Sequence, residues 1–306
     1  MSKVCLIVVF NHRYDRNLQS ISEMYGKRFH DIFVLMPFYD GEDIEGITII
    51  PVYESSFFFS GYFAQAIKLI GKKYEHYVVI GDDLVLNPYI NENNIIEYLN
   101  LHDGQSYIKD IRPLCNSSGV NAQRLNRYIL SPFVRNSGVE YKNILPSADE
   151  AFRYIRDKGY VVSERISFSW LIQVIKQGGI KRIGRSIVDT ISMLISNKGT
   201  SLPYPLYKIY SDFFIISGRD IDKVVQYFGV FAAMGLFVEV AVPTAMVLSC
   251  NDILTEKMID KHGVEMWEKN EIDEVAKKNE YKIDKLFHNF PEDVIYYHPI
   301  KLSKWK

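Results

Sequence analysis

A short apolar run that ends in a glycine and two aspartates constrains the fold of this chain more than any other feature. Residues 77–80 are Tyr-Val-Val-Ile, which is typical of a strand buried on both faces. Gly81, Asp82 and Asp83 follow it directly. Ligands of open α/β sheets bind outside the carboxyl ends of the strands, and Mg²⁺ and Mn²⁺ prefer oxygen ligands such as carboxylates and phosphates. The acidic pair therefore predicts either a cation and polyphosphate site or a solvated turn.

The first third of the chain alternates strand and helix patterns. Strands are predicted for residues 4–10, 32–36, 47–52 and 77–80, and helices for residues 16–25 and 57–70. This alternation predicts an α/β fold with a mostly parallel sheet, flanking helices and right-handed crossovers. Neither a Gly-x-Gly-x-x-Gly motif after the first strand nor a Walker-type Gly-Lys-Ser/Thr occurs, which argues against classical dinucleotide binding and P-loop hydrolysis.

Composition narrows the class of protein. The 306 residues are 47% hydrophobic and 24% charged, with a net charge of −1, so bulk charge gives no indication of nucleic-acid binding. The three cysteines are far apart and match no zinc spacing, which fits a reducing compartment. The first apolar run is short and leads straight into Asn11, His12 and Arg13, so no secretory signal is predicted and we expect a cytoplasmic protein.

The middle of the chain contains weaker helix signals and one basic stretch. Helices are predicted for residues 92–101 and 120–129, and a capping box opens a helix at residues 147–150 that ends at Gly159. Residues 165–200 then carry six basic side chains and one acidic one: Arg165, Lys176, Lys181, Arg182, Arg185, Lys198 and Asp189. This basic stretch is either an amphipathic hairpin that lies on an anionic membrane surface or a pair of ordinary surface helices.

A nearly continuous apolar segment at residues 227–250 contains a single acidic residue, Glu239. A membrane span would place Glu239 near the middle of the bilayer and Pro243 inside the helix, and both are costly. We therefore predict a helix at residues 221–234, a turn at Gly235 and a second buried segment at residues 237–248, with Glu239 just before its helix. An acid in such apolar surroundings is usually functional or satisfied by a partner, and we favour function here.

The last thirteen residues have an unusual composition for a terminal tail. They include two tyrosines, a tryptophan, a histidine and three lysines. Histidine is a metal ligand, and lysine is a good phosphate partner. The tail is therefore predicted to fold back over an anionic ligand.

Taken in order, these motifs resemble those of GT-A type glycosyltransferases. The resemblance depends on the first strand, the strand that ends in Asp-Asp, the segment Ser-Asp-Phe-Phe-Ile-Ile-Ser at residues 211–217, the buried Glu239, and His-Pro-Ile-Lys at residues 298–301. It implies a GT-A-like, Rossmann-like sheet with a helical insertion. It also implies a nucleotide-diphosphate sugar as donor and Mn²⁺ or Mg²⁺ held by an Asp-x-Asp-like motif.

The resemblance also implies roles for single residues. Asp83 and His298 would ligate the metal, while Asp82 and Lys301 would contact the nucleotide sugar. Residues 210–217 resemble the strand that borders the acceptor site, so that Asp212 joins Glu239, the implied general base, as a catalytic candidate. Asn11 and Arg13 would line the nucleotide end of the donor site. The third position of the motif is Leu84 rather than an acid, which leaves Asp83 as the aspartate expected to ligate the metal directly.

The expected organisation has three parts. Residues 1–115 would bind the nucleotide sugar, residues 116–200 would form a mostly helical insertion, and residues 201–306 would form the acceptor side and the tail. The expected activity is transfer of a sugar to a hydroxyl of a glycan or lipid-linked glycan. Two alternatives stay open: a sugar-phosphate nucleotidyltransferase, and a non-catalytic glycan-binding or scaffold protein.

Overall fold

A computed structural model describes residues 3–114, 138–165 and 201–305, together with the single positions 133, 172, 191 and 195. Its strands are β1 (Val4–Val9), β2 (Ile32–Pro37), β3 (Thr48–Val52), β4 (His76–Gly81), β5 (Val85–Leu86), β6 (Ser106–Ile108), β7 (Phe213–Ser217), β8 (Ile253–Thr255), β9 (His262–Glu265) and β10 (Val294–His298). Its α-helices are α1 (Asp15–Tyr25), α2 (Ser60–Ile70), α3 (Ile95–Tyr98), α4 (Ala148–Asp157), α5 (Ile221–Ala233), α6 (Val238–Ser249), α7 (Lys269–Lys278) and α8 (Ile283–His288).

Seven of these strands form one mixed sheet in the order β3-β2-β1-β4-β7-β6-β8. The strands β1 to β4 are mutually parallel where they pair. The strand β7 is antiparallel to both of its neighbours, β4 and β6, and β8 is parallel to β6. Only β7 therefore runs against the common direction of this sheet. The predicted α/β class and mostly parallel sheet are confirmed.

Helices cover both faces of the sheet, so β1, β2, β4 and β7 are buried along their whole length, whereas the edge strand β3 is partly exposed. Cys5, Ile7 and Val9 of β1 belong to one core cluster, which also contains the buried faces of α2, α5 and α6. Leu6 and Val8 belong to a second cluster on the other face, together with α1 and residues of the C-terminal segment. Burial on both faces explains why the strand sequences are continuous apolar runs rather than alternating patterns.

Several predicted helix ends are confirmed. The helix α5 is followed by a turn at Gly235, whose φ of +76° is a conformation that glycine adopts without steric cost. The helix α4 begins with the predicted capping box, in which the Ser147 hydroxyl and the Glu150 carboxylate each accept a hydrogen bond from the other residue's backbone N–H. Residues 227–250 are divided between α5 and α6, and no helix among the described residues is long and apolar enough to cross a membrane.

Three predictions of helix position are wrong in detail. The helix predicted at residues 92–101 is reduced to α3, and that at residues 57–70 begins as a 3₁₀ turn, Ser56–Phe58, before α2. Glu239 lies inside the first turn of α6 rather than before it, and Pro243 lies in the helix interior. Pro243 has no N–H for the carbonyl of Glu239, and the N–H of Ile209 donates to that carbonyl instead, at 3.1 Å. The proline is tolerated because a neighbouring segment supplies the missing donor.

A second sheet of three strands brings the tail to the main sheet. Its order is β5-β10-β9, with β10 antiparallel to β5 and parallel to β9. The N–H of Ile300 donates to the carbonyl of Asp83, with the two atoms 2.6 Å apart. The C-terminal segment therefore returns to the strand end that carries the two aspartates.

Two expectations fall on residues outside the described ranges. The helix predicted at residues 120–129 lies wholly outside them. Most of the basic stretch does so too, including Lys181, Arg182 and Arg185. The proposed three-part organisation and the membrane-surface interpretation stay predictions.

Candidate functional site

Asp82, Asp83, Asp212 and His298 form a group of side chains that we call the acidic cluster. Asp82 and Asp83 follow β4, and Asp212 immediately precedes the neighbouring antiparallel strand β7, so the carbonyl of Asp212 accepts a hydrogen bond from the Gly81 N–H at 2.9 Å. The end of β10 supplies His298, whose Nε2 lies 3.3 Å from Asp83 Oδ1 and 3.8 Å from Asp212 Oδ2. Three segments distant in sequence therefore meet at the carboxyl end of β4.

The electrostatics of the acidic cluster are unbalanced. Burial raises the pKa of Asp82 to about 7, and the charge of Asp83 adds to this effect. Burial also raises the pKa of Asp212 to about 6, opposed by His298 and reinforced by Asp83. Burial disfavours the charged form of His298, but Asp83 and Asp212 outweigh it and raise its pKa to about 9. The His298 imidazolium lies against two carboxylates, those of Asp83 and Asp212, and Asp82 adds a third beside Asp83. Carboxylates therefore outnumber cations in the cluster, which favours the binding of a further cation or proton.

Asp83 provides the clearest sign of an incomplete site. Its Oδ1 atom is shielded from water and, although His298 Nε2 lies 3.3 Å away, accepts no well-aligned hydrogen bond from the described residues. Such a buried acceptor normally has a partner. Within the described ranges, no group of three or more His, Cys, Asp or Glu side chains is arranged to hold a metal ion. Asp83 and His298 nevertheless suit a divalent cation that takes its other ligands from substrate phosphates and water.

Asp82 points toward the end of β1 and is only 5% exposed. Its carboxylate lies 3.5 Å from the backbone N of Asn11, and it accepts a hydrogen bond from the side chain of Asn17. Asp82 and Asn11, both predicted to contact the donor, are therefore neighbours. The backbone of this acid is fixed as well, since its N–H donates to the carbonyl of Val9.

Arg13 and Lys301 lie in more exposed positions. The Arg13 guanidinium is ion-paired with Asp15 and Asp40, and it donates to the carbonyl of Phe38. Lys301 is exposed, three residues beyond His298, and forms no ion pair with the described residues. Neither side chain contacts the acidic cluster directly in the described part of the chain.

Glu239 lies outside the acidic cluster and has a cationic neighbour that the sequence did not reveal. The Nζ atom of Lys208 is 3.8 Å from Glu239 Oε2, and the Lys208 side chain is only 8% exposed. Glu239 therefore has a counter-charge, although its neighbours in sequence offer none. The charge comes from the segment before β7, and local sequence around Glu239 carries no signal of it.

An aromatic stack connects these two groups of charges. Lys208 lies over the ring of Tyr210, and Tyr210 stacks on Trp267 with ring centroids 4.1 Å apart. Trp267 in turn meets the His298 ring edge-to-face at 6.0 Å, while about half of its own surface is exposed. Sequence reasoning missed Lys208 and Trp267. The lone tryptophan in a charged segment was the only signal for the latter.

Comparison with known proteins adds no family to these observations: neither a protein-family model nor a curated protein matches the chain.

Proposed function

We propose that this chain is a glycosyltransferase that moves a sugar from a nucleotide-diphosphate donor to a hydroxyl of a glycan acceptor. The observation that carries the proposal is the acidic cluster at the carboxyl end of β4, with its excess of carboxylates and the unsatisfied Oδ1 of Asp83. A cation bound there would attract a diphosphate, and ligands of α/β sheets bind at this edge. The GT-A form of the fold is part of the proposal.

The donor nucleotide would occupy the same edge, next to β1, β2 and β3. Phe38 and Tyr53 follow β2 and β3, are 60% and 66% exposed, and pack edge-to-face with centroids 5.8 Å apart. Exposed aromatic faces of this kind can stack on a nucleobase. Arg13 borders the pair through its bond to the Phe38 carbonyl, and Asn11 lies beside Asp82. These contacts support the predicted nucleotide end.

In the proposed reaction, Asp83 and His298 would hold Mn²⁺ or Mg²⁺. Bound there, the metal would neutralise the charge that develops on the leaving diphosphate. Lys301, exposed three residues beyond His298, would reach the same phosphates as a point charge. Asp82 is held by Asn11 and Asn17 and would keep the nucleotide-facing turn in place.

The acceptor would approach from the side of β7 and α6. Glu239 would act as the general base that takes the proton of the acceptor hydroxyl, with Lys208 holding its carboxylate at the start of α6. Asp212 would act from within the acidic cluster, where it faces His298 and sets the position of the imidazole. The basic stretch at residues 165–200 would let the enzyme reach a lipid-linked acceptor on an anionic cytoplasmic membrane surface.

The proposal is tested by incubating the purified protein with a panel of nucleotide-diphosphate sugars and measuring slow hydrolysis with Mn²⁺, with Mg²⁺ and with EDTA. We expect at least one donor to be hydrolysed, and Asp83→Asn to abolish the metal-dependent part. Asp103→Asn is the matched control, because Asp103 is an exposed acid that pairs with Arg219. Donor binding without hydrolysis would favour the non-catalytic alternative, and the absence of both would overturn the proposal.

A further inference from the structure

A cleft of about 780 Å³ lies at the start of β10, whereas His298 lies at its end. We call it the Tyr89 cleft. Its walls include three aromatic residues, three acidic residues and one lysine: Tyr89, Tyr98, Phe290, Glu97, Asp260, Glu292 and Lys261. The four residue steps along β10 place this cleft roughly 13 Å from the acidic cluster. The volume is in the range of small-ligand sites.

Tyr89 is an exposed aromatic residue on a firmly held backbone. Its relative exposure is 67%, yet three asparagine side chains bind its main chain. Asn87 Oδ1 accepts from the Tyr89 N–H at 3.0 Å, and the side-chain amides of Asn91 and Asn94 donate to the Tyr89 carbonyl at 3.2 and 2.7 Å. The ring is therefore presented to solvent from a loop that has little backbone entropy left to lose when a ligand binds.

Tyr98 and Phe290 form the rest of the aromatic wall. The Tyr98 hydroxyl donates to the carbonyl of Glu292 at 2.8 Å, which fixes the ring beside Tyr89, with centroids 5.9 Å apart. The Nζ atom of Lys261 lies 4.4 Å from the Tyr98 ring centroid. Phe290 is held by an edge-to-face contact with Tyr297 at 4.9 Å. The apolar part of the cleft is therefore already organised.

Three acidic side chains in the polar part of the cleft have unused hydrogen-bonding capacity. The side chains of Glu97, Asp260 and Glu292 form no ion pair or hydrogen bond with the described residues, although all three line the cleft. Carboxylates accept hydrogen bonds from hydroxyl groups, and each can accept more than one. The cleft thus offers flat apolar rings beside several free acceptors.

We propose that the Tyr89 cleft binds a saccharide. A pyranose ring has an apolar face of C–H groups, which suits the exposed ring of Tyr89, and a rim of hydroxyls, which suits Glu97, Asp260 and Glu292. A basic peptide would match the acids equally well, but it would leave the rigid, exposed ring of Tyr89 without a role, and Lys261 already covers Tyr98. This inference goes beyond the proposed transfer reaction, because a sugar can bind here whether or not the acidic cluster transfers one.

The test is calorimetric titration of the full chain, without nucleotide or metal, against maltohexaose, cellohexaose and chitohexaose. We expect at least one of them to bind, and Tyr89→Ala to weaken that binding about tenfold through loss of the stacking surface. Tyr89→Phe keeps the ring and should bind normally. Tyr14→Ala is the matched control, since Tyr14 is a half-exposed tyrosine on another part of the surface. Glu97→Gln, a second variant, should weaken binding by a smaller factor.

Three results would overturn the proposal. The first is the absence of binding by all three oligosaccharides. The second is equal binding by the parent and by Tyr89→Ala, provided that thermal melting shows both to be folded. The third is binding of hexalysine that Glu97→Gln weakens, in the absence of saccharide binding, which would identify a cationic-peptide surface. Because none of these measurements involves a donor or turnover, they leave the proposed transferase activity to its own test.

Discussion

The acidic cluster and the Glu239–Lys208 pair place carboxylates in similarly sheltered surroundings, but their charges are balanced differently. The pair matches one carboxylate with one ammonium group, 3.8 Å apart. The cluster sets three carboxylates against one imidazole and leaves Asp83 Oδ1 without a hydrogen bond. A matched pair is complete without a ligand, whereas an unmatched cluster is stabilised by a cation from outside. The difference supports the proposal that a cation binds at the cluster and not beside Glu239.

The substitution Glu239→Gln should have the largest effect, and it tests whether Glu239 is a general base or only the partner of Lys208. If Glu239 is the general base, turnover should fall about 10²- to 10⁴-fold, because the amide cannot take a proton. Donor binding should survive, since it depends on the cluster. Measuring kcat and the melting temperature of the same variant decides the matter. Near-normal turnover combined with a lower melting temperature would make the pair purely structural.

Removal of Lys208 tests whether the charges of the Glu239–Lys208 pair stabilise each other. Lys208→Met should lower the free energy of unfolding by about 1–3 kcal/mol, because it removes the ammonium group beside the sheltered Glu239 carboxylate. The double variant with Glu239→Gln should recover part of that loss. Urea unfolding provides the measurement. Lys72→Met is the matched control, since Lys72 and Asp222 are both more than half exposed in their ion pair. Equal losses in Lys208→Met and in the control would contradict the prediction.

The substitutions Asp83→Ala and His298→Ala test whether the acidic cluster binds a metal ion. Each should weaken Mn²⁺-dependent donor binding about 10- to 100-fold while the fold stays intact, as is typical for the loss of a metal ligand or its support. Calorimetry with Mn²⁺ and with EDTA measures the effect. His262→Ala is the control, because His262 lies in the same small sheet but pairs with Asp293 at an exposed position. Unchanged donor affinity of the parent protein in EDTA would remove the metal from the proposal.

The smallest expected effect is on the pH dependence of stability. The folded-state pKa values of Asp82 and Asp212, about 7 and about 6, lie above the ordinary value of 3.8, so the folded chain holds extra protons and loses stability as pH rises through this range. The raised pKa of His298, about 9, contributes stability below its ordinary value of 6.5 that is lost as pH rises toward 9. Both contributions therefore fall with rising pH. Melting temperatures between pH 5 and 9 should decline less steeply in Asp212→Asn, and parallel curves would contradict this.

The parts of the fold that were predictable are those whose signal is local. The strands β1 to β4 were predicted to within one or two residues. Burial on both faces gives β1, β2 and β4 runs without polar interruptions, and the partly exposed β3 still carries a short aliphatic run. The short strands β6, β8 and β9 carry no such run and depend on partners far away in sequence. The capping box at Ser147 was visible because its two residues are three positions apart. The start of α6 was misplaced, since it depends on a donor from Ile209.

The candidate site divides in the same way. Asp83 and His298 stood out through their motifs, and the structure places them in contact, although their role as metal ligands stays a prediction. Glu239 stood out as the only acid in an apolar run. Its partner Lys208 did not, because a lysine before a strand looks like any surface lysine until α6 packs against it. Trp267 was not predictable either, because its ring contacts are with Tyr210 and His298, which lie on two other segments.

The small sheet has a consequence for the order in which the chain can fold. Asn87 and Val294, joined by a hydrogen bond, are 207 positions apart in sequence. Contacts of such separation close a long loop and form slowly, whereas β1 to β4 pair over much shorter distances. During refolding, the parallel sheet and its helices should therefore appear before β10 docks on β5. An intermediate of that kind would have native-like secondary structure, with Asp83 already at its strand end and His298 still absent from it. The acidic cluster, and with it the proposed cation site, would therefore be the last part to assemble.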